Sequence, residues 1–212
     1  MPNSAYLLDN ADFALGIVTG NNKEYISDIK NENNEMILKG ADICKYHITR
    51  TNNYIVFKPE NFQQAAPTEM YRSPEKLLYR FISSQLVFAY DDKQTLSLNS
   101  CNIVIPRLPG TKIKYVLAIL NSRIAQFIYK KEFNSVKVLR SHIENIPIPT
   151  ADASTQAEII ALTDKLISGL QADEAEKVYD ELDLLVSKAF HLDSNEIEII
   201  NKAVEGDNKF LA

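Results

Sequence analysis

Two prolines in three residues, in the stretch IENIPIPTADAS at 143 to 154, forbid both a continuous helix and a central strand at that point. The chain is thereby read as two parts, residues 1–149 and residues 150–212, and the charges divide at the same place. The first part carries 18 Lys and Arg against 14 Asp and Glu, whereas the second carries 5 against 14. Within residues 71–143 the balance is 12 basic against 4 acidic, a local field that favours a phosphate backbone although the whole chain has a net charge of -5. A basic segment followed by an acidic tail suggests two jobs.

The first part is built of short apolar runs. YIVF at 54–57, LVFAY at 86–90, TLSL at 95–98 and NIVIP at 102–106 read as strands, and Asp91-Asp92-Lys93 reads as a hairpin turn. KLLYRFI after Ser73-Pro74 fits either a capped helix or a strand. LGIVTGNNKEYISD at 15–28 places two glycines ahead of a lysine. It fails as a phosphate loop because only three residues separate Gly16 from Gly20 and Glu24 stands where a hydroxyl would be needed. It reads instead as strand, turn, strand, with Gly20-Asn21-Asn22 at the turn. IKYVLAILNSRIAQFIYKK reads as one amphipathic helix whose apolar stripe includes Val116, Leu120 and Ile124, with Asn121, Ser122 and Gln126 on its free face.

The tail reads as a helical hairpin or small bundle. Thr155 with Glu158 and Asp193 with Glu196 have capping-box spacing. The stripes Ile159, Leu162, Leu166, Leu170 and Tyr179, Leu182, Leu185, Val186 can pack on each other, on the first part, or on another chain. Its acidity assigns it to assembly rather than phosphate contact.

Catalytic signatures are weak. His47, His142 and His191 are scattered, Cys44 and Cys101 form no CxxC pattern, and no GxSxG elbow is present. With 45% hydrophobic residues, the 212-residue chain can bury one full core and a small appendage. No apolar run reaches the roughly 18 residues of a membrane span, and the N-terminus lacks a signal-peptide profile, so the cytoplasm is the expected compartment. A binding module is favoured over an enzyme.

Several stretches, taken in order, resemble the TaqI-like C-terminal specificity domain, the target recognition domain of restriction-modification enzymes that methylate adenine. GIVTGNNKEYI is similar to that family's GI-x-TG-x-N-x-x-(F/Y)-x-I opening, and ILKGADICKYHI to its G-x-DI-x-(R/K)-Y segment. SPEKLLYRFISSQLVFAYDD resembles a P-x-K-(I/L)-L strand leading into a (Y/F)D turn, and YVLAILNSRIAQFIYKK an LLNS helix. HIENIPIP followed by QAEIIALTDKL is similar to the closing IP-x-P and spacer helix. The resemblance runs from about Phe13 to Leu170.

The resemblance implies an α+β fold, a twisted, mainly antiparallel sheet with packed helices, followed by the helical tail. It also implies a non-catalytic module that recognises double-stranded DNA and positions it for an adenine N6-methyltransferase, an endonuclease or both. Neither an FxGxG-type cofactor loop nor an NPPY-type motif occurs here, so S-adenosylmethionine and magnesium are expected on a partner catalytic domain or subunit. The chain is then either a separately encoded specificity polypeptide or a fragment of a longer enzyme, and a homodimer through the tail helices is a further possibility. Candidate DNA contacts are Lys39, Lys45, Tyr46, Arg50, Arg72, Lys76, Arg80, Lys93, Arg107, Lys130, Lys131, Lys137 and Arg140, with Arg72 and Arg80 as the leading base readers. Two rivals stay open: an adaptor working through its acidic tail, and a magnesium-dependent nuclease built on Glu75, Asp91, Asp92 and Lys93.

Overall fold

Alternating side chains on strands buried from both sides organise the protein into layers. The computed structural model describes residues 3–49 and 51–206. The central sheet has the order β2-β9-β6-β7 and is antiparallel throughout, with β2 Ala11–Ala14, β6 Lys76–Arg80, β7 Phe88–Asp91 and β9 Cys101–Pro106. Leu77, Tyr79, Phe88 and Val104 point into one core, and Leu78, Ala89, Ile103 and Ile105 into the other. This period of two explains why β6, β7 and β9 read as unbroken apolar runs: neither face meets water.

A second sheet covers one face. It has the order β3-β5-β4-β8, from β3 Ile26–Ser27, β4 Glu35–Leu38, β5 Tyr54–Ile55 and β8 Leu96–Ser97, and only the β4–β8 pairing is parallel. Helices cover the other face: α3 Ile113–Asn121, α4 Arg123–Glu132, α6 Ala153–Ile167 and α7 Ala172–Ala189. The elements α1 Asn22–Tyr25, α2 Thr68–Tyr71 and α5 Arg140–Glu144 are single turns, and α8 Ser194–Ala203 closes the tail. The proline segment forms β10 Ile148–Pro149, paired with β1 Ser4–Ala5 in a two-stranded sheet where a missing N–H is tolerated.

Local expectations differ from this architecture in four places. The first glycine loop does not close a hairpin, because β2 belongs to the central sheet and β3 to the second; Gly20, at φ +83°, turns the chain from one to the other. Asp91-Asp92-Lys93 likewise leads from β7 to β8 in different sheets, and KLLYRFI contains the strand β6. The long amphipathic run is two helices. Ser122 sits between them in extended backbone, its Oγ donating to Ile119 O (2.7 Å) and accepting from Ala125 N (3.1 Å), while Asn121, Ser122 and Gln126 are buried rather than on a free face. The N-cap of α6 is Asp152, which accepts from Thr155 N at 2.7 Å, so Thr155 is inside the helix; the Asp193 and Glu196 box opens α8 as the spacing predicts.

Two close approaches dock the second sheet. A Cβ on Gly16 would lie 2.2 Å from the Leu98 carbonyl oxygen, and one on Gly40 would lie 2.5 Å from that of Ser100. The tail shares a core with the central sheet, since Ile159, Leu162, Leu166, Tyr179, Leu182 and Val186 are all buried in the cluster that contains Leu77 and Phe88. Of the partners open to the apolar stripes, the tail uses its own helices and the first part of the chain. Among the described residues, no helix is long and apolar enough to cross a membrane.

Candidate nucleic-acid interface

Three of the expected DNA contacts belong to the interior. Lys76, fully buried on β6, donates to Tyr71 O (2.8 Å) and is ion-paired with Asp91 at the end of β7. Burial pulls the lysine pKa down and the Asp91 charge opposes that shift. Asp91 also accepts from Thr95 N (2.9 Å), Thr95 Oγ1 (2.8 Å) and Lys93 N (3.2 Å), so the lysine and the aspartate together fix how the chain leaves β7. Lys45 is buried under α7, donating to Asn121 O (3.0 Å) and Tyr179 Oη (3.4 Å). Tyr46 is buried in left-handed backbone, φ +74°, held by bonds from its N to Phe88 O (2.7 Å) and from Tyr90 N to its O (3.2 Å). A duplex cannot reach any of the three without opening the core.

Three more are half-buried and engaged. The two leading base readers have occupied forks: Arg72 bonds both oxygens of Glu35 (2.8 and 2.6 Å) and stacks on Phe57, while Arg80 directs Nε and one terminal nitrogen at Ile43 O (2.9 and 2.6 Å). Lys39 Nζ donates to Asn53 Oδ1 at 2.6 Å. Arg50 lies outside the described residues.

The exposed members are Lys93, Arg107, Lys130, Lys131, Lys137 and Arg140. Arg107 pairs with Asp12 (2.8 Å), Arg140 with Glu144 (2.6 Å) and Lys93 with Asp92 (3.1 Å). The Arg107–Asp12 and Lys93–Asp92 pairs are exposed, and such pairs contribute little stability and can exchange for phosphate, whereas the Glu144 partner of Arg140 is buried. Lys130 and Lys131 occupy the last turn of α4, and Lys130 Nζ donates to Ala203 O at 2.9 Å. Lys137 lies on the loop bridged to Ile82.

Part of the basic excess in residues 71–143 is neutralised by the tail. Arg123 pairs with Asp180 (2.5 Å) and Asp183 (3.5 Å), and Lys114 with Asp164 (2.6 Å). Burial raises the Asp183 pKa, opposed by the hydrogen bond from Arg123 N and by the charges of Arg123 and Lys45. The opposite charges of the two parts are therefore in some measure one internal seam. Two carboxylates of the nuclease rival have partners within the fold: Asp91 is held by Lys76, and Glu75 accepts from Tyr90 Oη. Among the described residues, no three His, Cys, Asp or Glu side chains gather as a metal-binding group.

Sequence reasoning did not nominate two exposed segments that the second sheet brings together. Residues 18–25 and 58–64 meet through paired backbone bonds between Val18 and Gln64 (2.9 and 3.0 Å), and Tyr25 Oη donates to Asn61 O at 2.9 Å. Asn21, Asn22, Lys23, Lys58, Asn61, Gln63 and Gln64 are all exposed there. Beneath them Tyr25, Phe57, Phe62 and Tyr71 pack ring to ring, with centroids 5.6 to 6.3 Å apart. Segment 18–25 lies within the GIVTGNNKEYI motif, whereas the polar pair Gln63-Gln64 between Phe62 and Ala65 carries no pattern of its own.

The fold is a central antiparallel sheet with helices on one face and a small second sheet on the other. The sequence profile of the TaqI-like C-terminal specificity domain matches residues 35–148, more than half of the chain, and the protein belongs to that family. In fold it is similar to the Type IIL restriction-modification enzyme MmeI, solved in complex with DNA, at a TM-score of 0.60 and 10% identity, covering 94% of this chain and 35% of that one. Weaker superpositions are found on a structure from a study of type I restriction-modification assembly and conformational transition (TM-score 0.49, 16% identity, 98% and 47% covered). The HsdS subunit from Thermoanaerobacter tengcongensis gives a TM-score of 0.47 at 16% identity, with 90% and 45% covered. The chain thus spans about a third to a half of the length of these proteins. A search of curated protein sequences finds no match.

Proposed function

We propose that this specificity domain binds double-stranded DNA sequence-selectively and holds it in register for an adenine N6-methyltransferase, an endonuclease or both, carried on a separate domain or subunit. Membership of the specificity-domain family over residues 35–148 is the observation that carries this. The fold shared with an enzyme solved on DNA supports it. Chemistry on a base inside a duplex requires the nucleotide to be extruded, and a module that grips the flanking duplex supplies the register. S-adenosylmethionine and magnesium would be bound by the catalytic partner. Here Lys93, Arg107, Lys130, Lys131, Lys137 and Arg140 supply salt-sensitive phosphate contacts.

A mobility-shift titration of the full chain against a random duplex pool, at two salt concentrations with magnesium present, tests the proposal. Binding that weakens with salt, followed by enrichment of a sequence on selection, is expected. Absence of a shift at low salt overturns it in favour of a protein adaptor, and cut ends that copurify with the chain would point to a nuclease.

A further inference from the structure

Reading bases needs side chains that are exposed, rigidly carried and free to offer hydrogen bonds, and the two arginines expected to read bases fail the last condition. The guanidinium of Arg72 faces Glu35 and that of Arg80 faces a main-chain carbonyl. Two amides of the loop at 31–34 fail it too: Asn34 accepts from Asn31 N (2.8 Å) and donates to Ile29 O (2.9 Å), and Asn31 Oδ1 accepts from Asn33 N (2.8 Å), so the Asn31 and Asn34 side chains build their own turn.

The paired segments 18–25 and 58–64 meet all three conditions. Gln63 and Gln64 are exposed, and among the described residues their side-chain amides make no hydrogen bond. Gln63 Oε1 lies 3.4 Å from where a Gly20 Cβ would stand, so this side chain lies over the glycine of the first loop. The backbone beneath is pinned by the Val18 and Gln64 bridge and by the aromatic cluster. Lys23 and Lys58 are exposed on these same two segments.

Resting on the DNA-binding function proposed above, we propose that this edge of the second sheet is the base-reading surface, with Gln63 and Gln64 addressing adenine in the major groove and Lys23 and Lys58 on the adjacent phosphates. An amide is complementary to adenine because its N–H donates to N7 while its carbonyl accepts from the N6 amino group.

The test starts from the duplex selected by the full chain out of the random pool. Replacing Gln63 and Gln64 with Ala is expected to lower the preference for the selected over a scrambled duplex by about 5- to 150-fold. Affinity for the scrambled duplex should stay within about twofold, since phosphate contacts carry no sequence information. Substituting 7-deazaadenine, which lacks the N7 acceptor, at the contacted position should cost the wild type a similar factor and the double variant nothing. An unchanged preference in the folded double variant overturns the assignment of this edge while leaving the module's function intact. Absence of duplex binding by the wild type overturns both. Hydrogen exchange of the wild-type chain on the selected duplex gives an answer independent of mutagenesis: slowed exchange in residues 18–25 and 58–64 is expected, and unchanged exchange there overturns the assignment.

Discussion

Replacing Lys76 with Met separates a folding role from a DNA-binding one. In the wild type the ammonium is fully buried and serves both Asp91 and the Tyr71 carbonyl. Met fills a similar volume but leaves the Asp91 carboxylate, itself 1% exposed, with bonds from Lys93 N and Thr95 alone and without the opposing charge of Lys76. Breaking one side of such a pair typically destabilises a protein by about 3–5 kcal/mol. For a chain of this size that is a fall in Tm on the order of 10 °C. Urea unfolding measures it, and a cycle with Asp91→Asn should show the double variant losing less than the sum of the single ones.

The same variant should leave DNA binding alone at a temperature where it stays folded. A lysine that touched phosphate would lower the slope of log K against log salt by about 0.9 when removed, whereas Lys76, enclosed between β6 and β7, should leave the slope unchanged. A loss of stability below about 1 kcal/mol together with a shallower salt slope would refute the placement of Lys76 as a structural ion.

Alanine at Lys130, Lys131 and Lys137 should reduce affinity for all duplexes alike and flatten the salt slope by about 0.9 for each phosphate no longer neutralised, read by titration at several salt concentrations. Truncation after Thr150 removes Ile159, Leu162, Leu166, Tyr179, Leu182 and Val186 from the shared core. At about 1.5–3 kcal/mol per buried side chain this rivals the roughly 5–15 kcal/mol of a whole domain, so the fragment should lose cooperative unfolding rather than survive as an independent module. His142 stacks on Phe133 with centroids 4.4 Å apart and accepts from Leu139 N at 3.2 Å, and burial holds its pKa below the usual 6.5. The unfolded chain protonates first, so the stability this histidine contributes is complete above about pH 6.5 and lost as pH falls through the folded value; His142→Phe should remove that part of the pH dependence in urea unfolding.

Element types were legible where the side-chain period was unambiguous. The runs at 54–57, 86–90, 95–98 and 102–106 coincide, to within a residue or two at their ends, with β5, β7, β8 and β9, and the Asp193 box opens α8. What the sequence could not show is which sheet each strand joins. The loop at Gly20 and the turn after Asp91 have hairpin composition, yet both carry the chain between layers, because pairing partners are set by packing far along the chain. Lys76 could not be recognised as buried from periodicity, since both faces of β6 are covered and its parity carries no exposure signal. Asn121-Ser122 was a cue for a helix break within an apolar run. The Asn121 side chain bonds both the N–H and the carbonyl of Phe88 (3.0 and 2.9 Å), a role that depends on β7 lying beside it.

These buried polar residues coincide with the motifs through which the sequence resembles its family. Lys76 is the lysine of P-x-K and Asp91 the aspartate of (Y/F)D, while Asn121 and Ser122 belong to the LLNS segment. Gly16 and Gly40, from the first two motifs, stand where the second sheet meets the chain near Leu98 and Ser100. Each makes an interaction that only the assembled layers provide, and an altered residue there would leave a buried polar group unsatisfied or a clash with main chain. The exposed side chains of Gln63 and Gln64 carry no such obligation. A substitution at Gln63 or Gln64 removes no hydrogen bond of the side-chain amides within the described residues, and surface changes of that kind usually shift stability by less than about 0.5 kcal/mol. A chain organised in this way can keep its layers fixed while these side chains change, which is the physical requirement for one fold to support different specificities.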